Sequence, residues 1–278
     1  MKLILKNTEL CFKNYTRELD PDAVTLMAKY TKDLTDGQKW AVSDLVFALK
    51  EAGVYSRLTA AYFPALASSV SEAMFDAVTN TAPGTPGSYY VLDANGLGFA
   101  PVSSPFGGVR VNTNLADTIQ SIFASEYLIA KGNNGINYYW AIGGGVPKIQ
   151  DSRKAVFPNS YTGSNGAEIP AQQFVTSTGH YALSWRYTAN EGYFHTANSD
   201  FCLNGSPLTL STASTDGQAM EETFGKTLSL GSGVTQNSSA GSGDSRLSLA
   251  LVLGATTTAE RDAINSAIAA FNSAFWTA

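Results

Sequence analysis

The sequence predicts a mainly β protein: a two-sheet sandwich of jelly-roll type, flanked by helices at its amino and carboxyl ends. Glycine placement, the shortness of the apolar segments and the confinement of helical spacing to the termini all point there. Of the 25 glycines, 23 fall between residues 81 and 254, where turns need backbone freedom that other residues lack. Apolar segments in that stretch are short: Tyr89–Leu92, Val109–Asn112, Ser121–Ile129, Ile136–Ile142, Tyr181–Tyr187, Gly192–Thr196, Thr227–Leu230 and Leu247–Leu253. No amphipathic segment of helical length separates them, which argues for strands joined by turns rather than β-α-β units. Closing so many short strands into two packed sheets gives the jelly roll.

The amino-terminal region has a different composition. Residues 1–57 hold 9 of the 18 Lys and Arg and 8 of the 23 Asp and Glu. Leu3 and Leu5 alternate with Lys2 and Lys6, and Leu10 and Phe12 follow, so the first twelve residues read as an extended strand. Asp20-Pro21 is an N-cap followed by a first-turn proline, predicting a helix from Pro21 to Lys32 with Val24, Met27 and Tyr30 on one side. Thr35-Asp36-Gly37-Gln38 is a capping box, and Val42, Leu45, Val46 and Leu49 continue at helical spacing to Gly53, a helix-ending glycine. Ser56–Leu66 and Ser69–Val78 read as shorter helical or turn-like pieces around Pro64. TAPGTPG at 81–87 then stops helix and central strand alike. At the other end, Thr257-Thr258-Ala259-Glu260 is a second capping box, and its helix carries Ile264, Ile268, Phe271 and Phe275 on one face. That face is expected to pack on the 36–52 helix. The chain divides accordingly into 1–33, a strand and helix; 34–80, helical; 81–256, the sandwich; and 257–278, the closing helix.

A net charge of −5 with 15% charged residues gives no basic surface for a phosphate backbone or an anionic membrane, so no nucleic-acid partner is expected. No window approaches the roughly 18 apolar residues that span a bilayer, and Lys6 and Glu9 break the opening apolar run before a signal-peptide core forms. No membrane insertion is expected. Cys11 and Cys202 lack CxxC partners and read as buried thiols made in a reducing cytosol.

Two segments bear a resemblance. LTDGQKWAVSDLVFALKEAGVYSRLTAAYFPAL, the Gly-rich β region after it, and SRLSLALVLGATTTAERDAINSAIAAFNSAFW together resemble the concanavalin A-like (laminin G-like) structural proteins of tailed bacteriophages. In those proteins a helix ending KEAGVYSRLTAAYF precedes the jelly roll, and a strand ending in glycine leads to a carboxy-terminal helix. HYALSWRYTANEGYFHTAN at 180–198 is similar to the family's paired strands. The resemblance covers about residues 34–278 and implies a concanavalin A-like jelly roll in a non-enzymatic virion subunit, a head fibre, capsid-decorating or tail-associated protein. It implies virion-protein partners, homo-oligomers, synthesis in the bacterial cytoplasm and residence in the virion. Residues 1–33 precede the matching segments, and by analogy with leading strands in phage proteins they are expected to attach the module to the particle.

The chemistry-bearing residues narrow these expectations. Retaining glycoside hydrolysis needs two carboxylates about 5–5.5 Å apart, which alternate positions on one strand supply. Glu221-Glu222 are adjacent and would face opposite ways, while Glu168, Glu191 and Asp200 stand apart. His180 and His195 are the two histidines, without a GxSxG elbow. Two histidines and scattered acids make no ligand cluster, so neither metal nor cofactor is expected, a loop-held Ca2+ near Asp216 or Asp244 being the residual option. The glycine runs at 143–145 and 231–243 lack the Lys-Ser/Thr of a phosphate loop. No enzyme is expected. Aromatic residues supply the binding candidates, because their faces stack on sugar rings. Tyr138 and Trp140 share one side of a single strand, and Trp185, Tyr193 and His195 are placed along a groove, with core packing as the competing role for each. A surface glycan is the ligand they would take, and a lectin-like tail or receptor-binding module is the alternative to the structural subunit.

Overall fold

The computed structural model describes residues 18–81, 90–94, 96–99, 109–111, 121–130, 136–138, 140–142, 148–150, 154–156, 179–187, 193–194, 199–207, 218–219, 228–230 and 244–275. Among the described residues the helices are α1 (Pro21–Met27), α2 (Asp36–Glu51), α3 (Val70–Ala73) and α4 (Thr258–Phe275). The strands are β1 (Leu58–Tyr62), β2 (Tyr90–Asp93), β3 (Gly96–Phe99), β4 (Val109–Val111), β5 (Ser121–Ala130), β6 (Ile136–Tyr138), β7 (Trp140–Ile142) and β8 (Lys148–Gln150). They continue with β9 (Lys154–Val156), β10 (Gly179–Tyr187), β11 (Tyr193–Phe194), β12 (Ser199–Leu203), β13 (Ser206–Pro207), β14 (Gln218–Ala219), β15 (Leu228–Leu230) and β16 (Asp244–Leu253). The expected strand at 1–12 lies outside the described residues.

The fold is antiparallel β-sheet with helices packed against it. Its main sheet runs β13-β12-β10-β5-β16-β3-β2, and β1 pairs with the end of β16 beyond β3. β2-β3 and β12-β13 are local pairs, whereas β16 pairs with β1, β3 and β5 across more than a hundred residues, so the sheet stitches the chain's two ends to its middle. Smaller sheets are β4-β15-β7, β6-β8-β9 and β11-β14.

Both capping boxes form. The Thr35 N–H donates to Gln38 Oε1 (3.0 Å) and the Gln38 N–H to Thr35 Oγ1 (3.3 Å). The Thr257 N–H donates to Glu260 Oε2 (2.6 Å) and the Glu260 N–H to Thr257 Oγ1 (3.2 Å). Each satisfies two backbone donors that a helix start leaves open. Gly53, at φ +69°, closes α2 as expected. The anticipated packing of α2 on α4 is present, with Val42, Leu45, Val46 and Leu49 in one buried cluster with Ile264, Ile268, Phe271 and Phe275.

Three expectations are revised. The 21–32 helix ends at Met27, because the Lys29 and Tyr30 N–H groups bond back three residues and turn Tyr30 into the core, edge-on to Phe63 and Phe75. Residues 58–62, read as helical or turn-like, are instead strand β1. Ala60, Ala61 and Tyr62 are at most 1% exposed there, and a short run buried on all sides has no periodicity to separate strand from helix. In 69–78 the helix is one turn, α3, and Asp76 takes over: its carboxylate accepts from the Ala61 N–H (3.0 Å), the Val78 N–H (2.9 Å) and the Thr79 hydroxyl (2.7 Å). Gly96 is required where it stands, since at φ +114° an added Cβ would lie 2.2 Å from the Leu247 carbonyl oxygen.

Candidate functional site

The sheet face under α4 is a seam of small polar side chains. Strand alternation sends Ser121, Phe123 and Ser125 of β5, and Ala182, Ser184 and Arg186 of β10, to the same side. Ser184 Oγ accepts from Asn265 Nδ2 (3.1 Å), and the Ser121 and Thr256 hydroxyls bond at 2.8 Å. Arg186, 8% exposed, donates to the Thr256 carbonyl (3.0 Å) and the Thr258 hydroxyl (3.1 Å). A register shift between Leu247 and Leu249 leaves Ser248 as the extra residue of a bulge. Its hydroxyl donates to the Ser125 carbonyl (3.0 Å) and lies 2.7 Å from Ser125 Oγ, which in turn donates to Asn272 Oδ1 (2.5 Å).

Charged groups elsewhere clamp segments distant in sequence. Arg57 bonds Glu260 (2.5 Å) and the Ala255 carbonyl, tying the turn between α2 and β1 to the start of α4. Burial pushes the Glu260 carboxyl up, but the Thr257 N–H, Arg57 and the Thr257 hydroxyl outweigh it and hold it below its ordinary value. Lys50 reaches Asp20 (2.6 Å) and Asp22 (2.5 Å), and the bond from Lys50 is the main cause that keeps Asp20 low. Arg246 pairs with Asp93 (2.7 Å) across β16 and β2. Glu72 also sits below its ordinary value: burial raises it, and bonds from Thr31 and Ser68 more than compensate. Among the described residues no three His, Cys, Asp or Glu converge as a metal site. These carboxylates each close a structural bond.

The sequence-nominated aromatics fall on separate sheets. Trp185 is on β10, in register with Ile122 of β5 and Phe201 of β12. Tyr138 on β6 is opposite Lys148, Trp140 on β7 opposite Leu230, and Tyr193 on β11 opposite Ala219. Tyr138 and Trp140 therefore do not share a strand as expected: the apolar run at 136–142 divides between two sheets. The side chains of Tyr138, Trp140, Trp185 and Tyr193, and all of His195, lie outside the described residues. Sequence reasoning missed the α4 seam, although Asn265 and Asn272, seven places apart on the apolar face of a helix, are its signature.

No family model matches the chain, and no curated protein does. Solved structures do. A Trypanosoma rangeli sialidase mutant with trans-sialidase activity is similar over 85% of this chain and 40% of its own, at 10% identity and a TM-score of 0.56. Trypanosoma rangeli sialidase in complex with sialic acid is similar over 80% of this chain and 38% of its own, at 12% identity and a TM-score of 0.52. The likeness is one of fold. The CBM40 carbohydrate-binding module of Ruminococcus gnavus IT-sialidase covers 57% of this chain and 91% of its own, at 14% identity and a TM-score of 0.42. This chain spans about two-fifths of the length of the sialidases. The bacteriophage resemblance rests on the sequence segments alone.

Proposed function

We propose that this chain is a non-enzymatic bacteriophage virion subunit, a head fibre or capsid-decorating protein, whose jelly-roll region is displayed outward and meets a glycan. The supporting observation is the union of the two segments that carry the resemblance. Some two hundred residues apart, they fold into one platform, in which α2 packs on α4, β1 pairs with β16 and Arg57 bonds Glu260 and Ala255. A unit whose end segments are bound to each other by helix packing, strand pairing and an ion pair has the character of a scaffold. The stretch between those ends, rich in Gly, Ser and Asn, supplies the loops that variation and contact favour. Attachment to the particle falls to residues before Glu18, since Ala23, Leu26, Tyr30 and Leu34 belong to the core.

The glycan part takes its ligand class from the sialidase described as bound to sialic acid, and its residues from Trp140, Trp185 and Tyr193. A lectin-like module of a tail or receptor-binding protein is the second reading, favoured by the same aromatics. Glycan-array binding by the full chain, compared with its Trp140→Ala and Trp185→Ala variants, tests the ligand. Loss of binding in either variant, without reducing-sugar release from the bound glycan, is expected. Sugar release would replace the scaffold with a hydrolase. Incorporation into particles of a chain lacking residues 1–17 would refute the attachment role.

A further inference from the structure

We propose that Tyr30, Tyr62 and Asp76 form a buried binding site for a single water molecule, which accepts from both phenols and donates to the carboxylate. Tyr30 is 7% exposed, Tyr62 0% and Asp76 2%, and neither phenol oxygen has a hydrogen-bond partner among the described residues. Buried hydroxyls are costly to leave unpaired, and where protein atoms do not reach them an internal water does. Packing alone does not call for these hydroxyls. Phe63 and Phe75, the two rings that Tyr30 meets edge-on, fill neighbouring positions without one.

The backbone brings the three groups together. Tyr62, the last residue of β1, forms an antiparallel bridge with Asp76, and Tyr30 lies against the residues next to that pair, 6.4 Å from Phe63 and 6.2 Å from Phe75 between ring centroids. The phenols register the same closeness. Burial pushes Tyr62 up, and Asp76 and then Tyr30 add to the rise; burial also raises Tyr30, with the Phe63 N–H opposing and Asp76 adding. Asp76 has a place for the water. Its Oδ1 accepts from the Ala61 and Val78 N–H groups, whereas Oδ2 accepts, among the described residues, from the Thr79 hydroxyl alone, and each carboxylate oxygen takes about two bonds. A water accepts two protons and donates two, so it takes one from each phenol and gives one to Asp76 Oδ2. About three bonds is the usual number for an internal water. Held in this way, the water ties the turn after α1 to the end of β1 and to the segment that follows α3.

Tyr30→Phe and Tyr62→Phe each keep the ring and remove one partner of the water. Either change is expected to lower the thermal midpoint of the full chain by about 2–4 °C, and the double variant by less than the sum of the two, because both act on the same water. A midpoint that holds or rises in either single variant would overturn the proposal, since deleting an unpaired hydroxyl costs nothing. Strictly additive losses would overturn it as well, by giving the two phenols separate partners. Oxygen-17 relaxation dispersion in labelled water counts the waters held longer than the protein takes to tumble, and so separates this site from a direct phenol–phenol bond. The double variant should lose the amplitude of about one such water; an unchanged amplitude would rule the site out.

Discussion

Helix α4 has two interfaces built on opposite principles. It packs on α2 with Ile264, Ala267 and Phe271 in one buried apolar cluster with Val42, Leu45, Val46 and Leu49, and Phe271 stacks on Phe275 at 4.4 Å. Toward the sheet it presents Asn265 and Asn272, each bonded to a strand serine. Apolar contact is strong and tolerant of sliding, because its energy scales with area and not with direction. Hydrogen bonds contribute little net energy but are costly to leave unmade, so they fix position. The first interface therefore holds the ends of the chain together, and the second sets the register of α4 over β5, β10 and β16.

The largest expected effect comes from the apolar side. Phe271→Ala empties a site 1% exposed and should cost about 3–5 kcal/mol in urea unfolding; a loss under about 1 kcal/mol would show that the α2 interface does not carry stability. Next comes the seam. Asn272→Ala removes the acceptor of the Ser125 hydroxyl and should cost about 1–3 kcal/mol. In a double-mutant cycle with Ser125→Ala the two losses should fall short of additive by about 0.5 kcal/mol or more. Strict additivity would mean that the two residues act independently and that the seam is no network.

The smallest effect is electrostatic. Glu260, Asp20 and Glu72 are all held below their ordinary values of 4.5, 3.8 and 4.5. A carboxyl depressed by folding stabilises the fold fully above its unfolded value and loses that contribution as pH falls through the folded one. The urea midpoint should thus be level at neutral pH and decline once acidity passes the ordinary carboxylate range. Arg57→Ala should lower stability at neutral pH by about 0.5–1 kcal/mol and make the acid decline shallower. A decline of unchanged steepness would remove Arg57 from the acid response.

Much of the platform was legible in the sequence. Thr35, Gln38, Thr257 and Glu260 announce helix starts by local chemistry, and the apolar stripes of α2 and α4 announce their packing. Strand β1 was not legible, because Ala60, Ala61 and Tyr62 are covered on every side and alternation vanishes when both faces of a strand are buried. The division of 136–142 between two sheets was equally hidden: Tyr138 and Trp140 alternate on paper, and which neighbours their strands choose is a long-range matter. The seam serines look like any turn-region serines until a helix from the far end of the chain is laid over them.

The sequence alone therefore determined the helices, their capping and the β character of the middle, since caps, glycines and apolar periodicity act within a few residues. The tertiary structure decided the pairing of β1 with β16, the burial of Asp76 and Arg186 as structural groups, and the scattering of the aromatic candidates over four sheets. Those outcomes depend on which distant segments meet, and a hydroxyl, carboxylate or indole takes its role from the partner that arrives.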